Sequence, residues 1–122
     1  ELFIKWMEKI RQNAPLRIDG DGTQSRDFIH VDDIVSANIH CMNYKNSFNG
    51  QVYDVGTGRA HSLNDIKQYF DNVFDIIWDI QPSRIGDIKN SRADTSGLDG
   101  LGWRAQIDLK TGLRRCITNV SK

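Results

Sequence analysis

Apolar residues recur at helical spacing at the start of the chain. Four of them lie on one face of the segment ELFIKWMEKIRQN: Leu2, Phe3, Trp6 and Ile10. This spacing predicts an amphipathic helix, which Pro15 ends because the residue before a proline disfavours helical geometry. Leu16-Arg17-Ile18 then predicts a short strand. Asp19-Gly20-Asp21-Gly22 predicts a tight turn, since glycine reaches positive φ without cost.

The next part of the chain carries a strand pattern followed by a helix pattern. A second strand is predicted around Gln24 to His30, and a helix follows it to about Asn43. Asp32 or Asp33 is the expected N-cap of that helix, because a carboxylate can accept hydrogen bonds from the first free amides. Four apolar residues of the helix are expected to face the core: Val31, Ile34, Val35 and Met42.

Turn signals divide the middle of the chain. Asn49-Gly50 predicts a turn into a strand from Gln51 to Val55, and Gly56-Thr57-Gly58 predicts the loop that ends this strand. Ser62 and Asp65 form a capping-box pattern in front of a third helix. Four apolar residues, spaced three or four apart, are expected to be buried in that helix: Leu63, Ile66, Phe70 and Val73.

The last third of the chain is predicted to contain a strand, a loop and a helix. Ile76 to Ile80 has the apolar character of a strand, and Pro82 to Asp94 is a polar loop or irregular strand. Asp108 is the expected cap of a terminal helix. Helices and strands therefore alternate without an internal repeat or linker. This order predicts an α/β fold, a single α/β or α+β lobe over residues 1–122.

Composition excludes several classes of protein. The 16 basic and 16 acidic residues balance, so the chain lacks the basic excess of a dedicated nucleic-acid binder. Leu, Ile, Val and Phe make up 32 of the 122 residues, which is too many for a disordered protein. No apolar run approaches the ~20 residues that span a bilayer. Cys41 and Cys116 are expected to be reduced, buried thiols in a cytoplasmic protein.

Several common chemistries have no basis in this sequence. Neither a G-x-G-x-x-G nor a G-x-x-x-x-G-K-[ST] motif occurs, so the ordinary phosphate-binding loops are absent. His30, His40 and His61 lack metal-ligand spacing, and no metal site is expected. The neighbours His40 and Cys41 point in different directions on a helix, which disfavours a nucleophile–base pair.

Arginines and aspartates placed near turns are the remaining candidates. Arg26 begins the run RDFIHVDD, and Arg84 lies in the loop after a predicted strand. Arginine suits bidentate contact with phosphate oxygens because its guanidinium is planar and always charged. The alternative is that Arg26 and Arg84 form local ion pairs with Asp27 and Asp87. Spacing alone favours this alternative, because surface ion pairs are common.

Four runs of sequence carry a resemblance to a known family. The run GDGTQSRDFIHVDDIVSANI resembles a hallmark stretch of nucleotide-sugar epimerases and dehydratases in the extended short-chain dehydrogenase/reductase superfamily. Three further runs agree in the same order: GQVYDVGTGRAHSLNDI, PSRIGDIKNSRADTS, and LGW before the terminal helix. The resemblance covers nearly the whole chain and is most similar to UDP-glucose 4-epimerases. It implies an NAD-dependent enzyme acting on a UDP-sugar, and leaves epimerisation and dehydration both open.

The resemblance also implies that part of the enzyme lies outside this sequence. In that family an N-terminal Rossmann half holds NAD and carries a glycine-rich loop and a catalytic Tyr-x-x-x-Lys. Tyr44, Tyr53 and Tyr69 have no lysine four residues later, so this motif is absent here. Residues 1–122 are therefore expected to be a C-terminal substrate-binding lobe, without a catalytic residue, cofactor or metal of its own.

The expected partners follow from the same resemblance. The missing Rossmann half is the first, and the helix at residues 31–43 is expected to pack against that nucleotide domain. Apolar surface is expected to be exposed where it docks. The resemblance allows a homodimer of the full-length protein, whereas neither nucleic acid nor a membrane is an expected partner.

Individual residues take roles from the resemblance. Arg26 and Arg84 match family arginines that reach the UDP diphosphate, and Asp87 matches the carboxylate that binds the uridine ribose. The strand with Arg17 and Asp19 matches the one whose backbone groups hold the uracil ring. These five residues are the predicted substrate-binding site.

Two alternatives come from other functional classes. In the first, the chain is a free-standing, non-catalytic nucleotide-sugar binding module. In the second, it is an inactive, truncated remnant of the enzyme. UDP affinity that depends on Arg84 is expected for the binding module, whereas the remnant is indifferent to loss of Arg84.

Overall fold

The computed structural model describes residues 2–121, with side chains through Thr118. Within these residues the chain forms five helices: α1 (Leu2–Arg11), α2 (Val31–Met42), α3 (Leu63–Val73), α4 (Ser96–Gly100) and α5 (Leu109–Ser121). Four short strands lie between them: β1 (Leu16–Asp19), β2 (Ser25–Arg26), β3 (His61–Ser62) and β4 (Trp78–Gln81). The α/β class predicted from the sequence is confirmed.

The strands form two separate pairs. β1 and β4 are parallel, with Leu16 opposite Trp78 and Asp19 opposite Gln81. β2 and β3 are antiparallel and only two residues long. Parallel pairing places the carboxyl ends of β1 and β4 side by side, so the loops that follow both strands start at the same edge.

Two predicted strands were largely wrong. Of the strand expected from Gln24 to His30, only Ser25–Arg26 pairs with a neighbour. The segment from Gln51 to Val55 forms no strand at all. Both segments have strand-like composition, but strand formation also needs a partner with free backbone groups. Side chains hold these segments instead, as described below.

The main core lies between the parallel strand pair and three helices. Its buried members come from α1, β1, α3 and α5: Trp6, Met7, Leu16, Ile18, Ile66, Phe70 and Leu113. Trp6 is central, with its ring centroid 5.4 Å from that of Phe70 and 5.3 Å from that of Trp78, both edge-to-face. Such edge-to-face pairs add to the stability that apolar burial supplies. The predicted apolar faces of α1 and α3 are confirmed except at Val73, which is exposed.

The predicted inward face of α2 was wrong. Its four expected core residues are all exposed: Val31, Ile34, Val35 and Met42. The helix instead buries Asp33 and Ala37, and Ala37 packs with Leu98 and Trp103 in a second, smaller cluster. The apolar stripe was real, but it lies on the outer face of the helix. Sequence periodicity identifies a stripe without showing what covers it.

Helix caps were predicted with mixed success. α2 is capped by His30, whose Nδ1 accepts a hydrogen bond from the Asp32 amide, and not by Asp32 or Asp33. The capping box of Ser62 and Asp65 is confirmed at the start of α3. Asp108 caps α5 by accepting from the Thr111 amide at 2.7 Å. Hydrogen bonds from Thr111 hold the pKa of Asp108 below its usual value.

Asp33 ties α2 to the segment before α5. Its two carboxylate oxygens accept hydrogen bonds from the amides of Gln106 and Ile107 at 3.1 and 3.0 Å. Only 3% of the residue is exposed. Because a buried amide without a partner is costly, this carboxylate fixes a segment that has no regular secondary structure.

We expect Asp33→Ala to lower the free energy of unfolding by about 2–4 kcal/mol, because it leaves two amides without an acceptor. Urea denaturation measures this change. The matched control is Asp32→Ala, which removes the next carboxylate along the chain. Asp32 is exposed and pairs with Arg115 at 3.4 Å, so its loss should cost less than about 1 kcal/mol. Equal effects of the two substitutions would contradict the role given to Asp33.

Candidate functional site

The five predicted site residues lie together at the carboxyl edge of the parallel strand pair. Arg17 and Asp19 belong to β1, with Asp19 its last residue. Arg84 and Asp87 follow β4 in the loop that begins at Pro82, and Arg26 ends β2. Ligands of parallel α/β sheets commonly bind at this edge, where the strand ends leave a crevice.

Ion pairs connect all five residues in one row of alternating charge. The Asp19 carboxylate lies 2.7 Å from Arg17 Nε and 3.3 Å from Arg84 Nε. Arg84 Nη2 then lies 3.9 Å from Asp87, whose other oxygen is 3.4 Å from Arg26 Nη2. We call this row the arginine–aspartate chain: Arg17, Asp19, Arg84, Asp87 and Arg26. Its formal charge is one positive unit.

Arg26 is the arginine most committed to protein contacts. Its Nη1 donates to the backbone oxygens of Ser25, at 2.7 Å, and Lys89, at 3.2 Å. Its Nη2 donates to the backbone oxygen of Ile88 and to Asp87. Four acceptors therefore surround one guanidinium, and three of them are carbonyl oxygens. Arg26 fixes the 87–90 loop against β2 as well as contributing charge.

Arg84 and Arg17 differ from Arg26 in their exposure. Their side chains are 69% and 63% exposed, respectively, whereas that of Asp19 between them is only 18% exposed. The hydrogen bond and the charge of Asp19 raise the pKa of Arg17. Both guanidinium groups keep donors that face solvent, so the chain presents two cations to any anion that approaches this edge.

Asp27 does not pair with Arg26. Its carboxylate accepts hydrogen bonds from the Thr57 and Gly58 amides and from the Thr57 hydroxyl. The Ala93 amide also donates to it, at 3.3 Å. The local-pair alternative is therefore wrong for Asp27, and it is confirmed for Arg84 with Asp87. Asp27 joins the 56–58 loop to the 90s segment.

Glycine is required where Asp27 meets the 56–58 loop. A Cβ on Gly56 would lie 2.3 Å from the Ala93 Cβ and 2.8 Å from an Asp27 oxygen. The turn expected at residues 19–22 is confirmed, with Gly20 and Gly22 both at positive φ. In this turn, hydrogen bonds from the Thr23 hydroxyl and amide lower the pKa of Asp21.

The sequence analysis did not identify two carboxylates that hold distant loop segments in place. Asp27 and Asp33 each collect backbone amides from segments 30 or more residues away. The Gly-Thr-Gly turn was a partial signal, because such turns leave amides unpaired. No spacing in the sequence links position 27 to position 57, so only the fold identifies the pair.

A cavity of about 840 Å³ lies beside the site and is separate from it. The loops at 54–59 and 103–108 line it together with α3 and α5. None of the five predicted residues contributes to its lining. The predicted site is thus an exposed strand edge and not part of this cavity.

Residues 2–121 offer no cluster of metal-ligating side chains and no membrane-spanning helix. This part of the chain contains no group of three or more His, Cys, Asp or Glu side chains that could hold a metal ion. Its helices are all too short or too polar to cross a membrane. Cys41 and Cys116 are both free and only partly buried, which corrects the expectation of burial.

Comparison with known proteins supports one family. Residues 1–56 match the NAD dependent epimerase/dehydratase family. The chain is 33% identical over 116 residues to a putative UDP-glucose 4-epimerase of Methanocaldococcus jannaschii, which covers 92% of this chain and 36% of that protein. The chain thus spans about a third of the length of the relatives that it matches.

Solved structures agree with this family. The fold matches a UDP-N-acetylglucosamine 4-epimerase of Methanobrevibacter ruminantium M1, in complex with UDP-N-acetylmuramic acid, with a TM-score of 0.81 and 34% identity. That match covers 93% of this chain and 37% of the other. It also matches a UDP-glucuronic acid 4-epimerase of Bacillus cereus, in complex with UDP-glucuronic acid and NAD, at TM-score 0.90 and 25% identity, over 99% and 40% of the two chains. These similarities support an NAD-dependent epimerase/dehydratase family for the chain.

We expect Arg26→Lys to loosen the 87–91 loop. Lysine cannot reach four acceptors in a fork, so two or more hydrogen bonds are lost. At about 1 kcal/mol each, exchange of the Ser25 and Ser91 amides should quicken about tenfold or more. These amides donate to Lys89 and Ser25 oxygens across the two segments. Hydrogen-exchange mass spectrometry measures the change.

The control for Arg26→Lys is Arg92→Lys, which changes an exposed arginine just beyond the loop. Exchange at Ser25 and Ser91 should stay within about twofold of the unmodified chain, because Arg92 makes none of the contacts described for Arg26. An unchanged exchange pattern in Arg26→Lys would contradict the structural role given to this arginine.

Proposed function

We propose that this chain is the substrate-binding lobe of an NAD-dependent nucleotide-sugar epimerase or dehydratase, and that it binds the nucleoside-diphosphate part of a UDP-sugar. The single observation that carries the proposal is the arginine–aspartate chain at the carboxyl edge of β1 and β4. It brings Arg26 and Arg84 to one edge, where a diphosphate needs cationic donors, beside the strand with Arg17 and Asp19 that is proposed to hold the base. The relatives described above act on or bind UDP-sugars, which supports the same ligand class here.

Each cation has a distinct part in this proposal. Arg84 supplies the exposed guanidinium donors for the diphosphate, and the backbone of the strand with Arg17 and Asp19 holds the uracil ring. Arg26 is held by four acceptors, so it supplies fixed positive charge from beneath the loop. Asp87, between Arg26 and Arg84, is the proposed acceptor for ribose hydroxyls, since a carboxylate accepts two such bonds.

The chain contributes positioning and not the reacting groups. No glycine-rich dinucleotide loop and no Tyr-x-x-x-Lys occur in it, so NAD is proposed to be held by a preceding Rossmann half, where it accepts and returns hydride. Holding the diphosphate fixes where the attached hexose lies. Binding energy from this remote part lowers the reaction barrier only when the reacting half is attached.

The outer face of α2 is the proposed contact with that half. Its exposed apolar residues form one stripe at helical spacing: Val31, Ile34, Val35, Ile39 and Met42. A stripe of this size on one helix is unusual for a free surface, because uncovered apolar area is not stabilised. The domain proposed to cover this face is the nucleotide-binding domain of the same polypeptide. This accords with the chain spanning about a third of the length of its relatives.

We expect the 122-residue chain to bind UDP at millimolar concentration, and Arg84→Ala to weaken this binding about tenfold or more. Charge-assisted hydrogen bonds to phosphate are worth about 1.5–3 kcal/mol each, and Arg84 has the most exposed guanidinium in the chain of ion pairs. Isothermal titration calorimetry gives the two dissociation constants.

The control for Arg84→Ala is Arg11→Ala. Arg11 lies in the last turn of α1, before the amino end of β1 and so away from the proposed site. It changes the net charge equally and should alter the Kd less than about twofold. An absence of UDP binding by the unmodified chain, or equal effects of the two substitutions, would contradict the proposed site and favour an inactive remnant.

A second test separates the enzyme lobe from a free-standing binding module. We expect the native protein to have an intact mass well above 13.9 kDa, with a glycine-rich loop and a Tyr-x-x-x-Lys encoded upstream. We also expect the 122 residues alone to convert no UDP-hexose and to reduce no NAD. A native mass near that of this chain would leave the binding module or the inactive remnant, which the UDP titration then separates. Sugar conversion by the chain alone would overturn the division of roles.

A further inference from the structure

Asp19 occupies an unusual place for a carboxylate at a site that is proposed to bind an anion. Its two oxygens contact different arginines, Arg17 at 2.7 Å and Arg84 at 3.3 Å. Asp19 is also the least exposed member of this trio. A negative charge therefore lies between the two exposed cations that face an incoming phosphate.

The fold leaves this carboxylate little freedom to move away. Leu16 and Ile18 are buried in the core, and side chains alternate along a strand, so Arg17 and Asp19 share the outer face of β1. The Gln24 side chain also donates to the Asp19 backbone oxygen at 2.6 Å. An anion bound by Arg84, whose Nε lies 3.3 Å from the Asp19 carboxylate, must then lie within several ångströms of the Asp19 charge.

We propose that Asp19 is a specificity-determining residue that favours nucleotide sugars over free nucleotides by electrostatic repulsion. This inference rests on the proposed function of the site. A nucleotide sugar carries about two negative charges on its diphosphate, whereas a free terminal phosphate adds up to one more because its second pKa lies near 6. The repulsion grows with each ligand charge, so it penalises UDP and UTP more than UDP-glucose.

The size of the effect follows from Coulomb's law. At about 7 Å in water and low salt, one ligand charge facing one carboxylate changes affinity roughly twofold. UDP-glucose carries about two such charges and fully ionised UTP about four, so removal of the Asp19 charge should tighten UDP-glucose binding about fourfold and UTP binding about sixteenfold. The dissociation constant of UTP divided by that of UDP-glucose should therefore fall about fourfold.

A positioning role for Asp19 makes a different prediction. If Asp19 served only to hold Arg84 in place, its loss would weaken every ligand by a similar factor. The ratio between ligands separates the two roles, because repulsion depends on ligand charge and positioning does not. Asp19→Glu keeps the charge and should keep the ratio, even where a longer side chain changes the affinities themselves.

The test is calorimetric titration of the protein at its native length with UDP-glucose, UDP and UTP at low ionic strength. Asp19→Asn and Asp19→Glu are compared with Asp75→Asn, which removes an exposed carboxylate near the opposite end of β4. We expect the ratio of the UDP-glucose and UTP dissociation constants to change only in Asp19→Asn. This change should become smaller as the salt concentration is raised.

Four outcomes overturn the inference, and the last of them also contradicts the proposed function. A uniform loss of affinity in Asp19→Asn shows a positioning role alone. An equal shift in Asp75→Asn shows a general effect of net charge, and no shift shows that Asp19 does not discriminate. If the unmodified protein binds none of the three nucleotides, the proposed function fails and the inference fails with it.

Discussion

The parallel pairing of β1 with β4 is the constraint on which the rest of the fold depends. It joins residues 16–19 to residues 78–81 across about sixty residues of chain. The inner face of the pair buries Leu16 and Ile18 under α1, α3 and α5. Its carboxyl edge places Asp19 beside the loop that carries Arg84. One hydrogen-bonded ladder therefore supports both the core and the candidate site.

Side-chain carboxylates organise the parts of the fold that lack regular structure. Asp27 accepts from amides at residues 57, 58 and 93, and Asp33 accepts from amides at residues 106 and 107. A carboxylate can satisfy several donors at once without a strand partner. This explains how the loop segments at residues 57–58, 93 and 106–107 are held without strand pairing. It also explains why fourteen aspartates suit this chain, since aspartate has a short, stiff link to its backbone.

The sequence predicts local structure well here and long-range structure poorly. Helices α1, α2, α3 and α5, the capping box at Ser62 and the turn at residues 19–22 depend on neighbours within a few residues, and they were correct. The short helix α4 was not predicted. The burial of α2 was predicted wrongly, because periodicity cannot distinguish a core face from an interface. The arginine–aspartate chain was predicted as a set of residues only through family resemblance. The contact of Asp19 with Arg84 spans 65 residues, and no local pattern encodes it.

The ligand binding proposed for this edge has to be an exchange of partners. Arg84 contacts two carboxylates, and Arg26 donates to four acceptors. A diphosphate gains only the difference between its own hydrogen bonds and the ion pairs that it displaces. Exposed ion pairs contribute little, so Arg84 can change partners at small cost. Arg26 cannot, because its carbonyl contacts hold the loop. Arg84 and Arg26 therefore differ in how readily they can exchange partners. The difference comes from the groups that each contacts and not from the residue type.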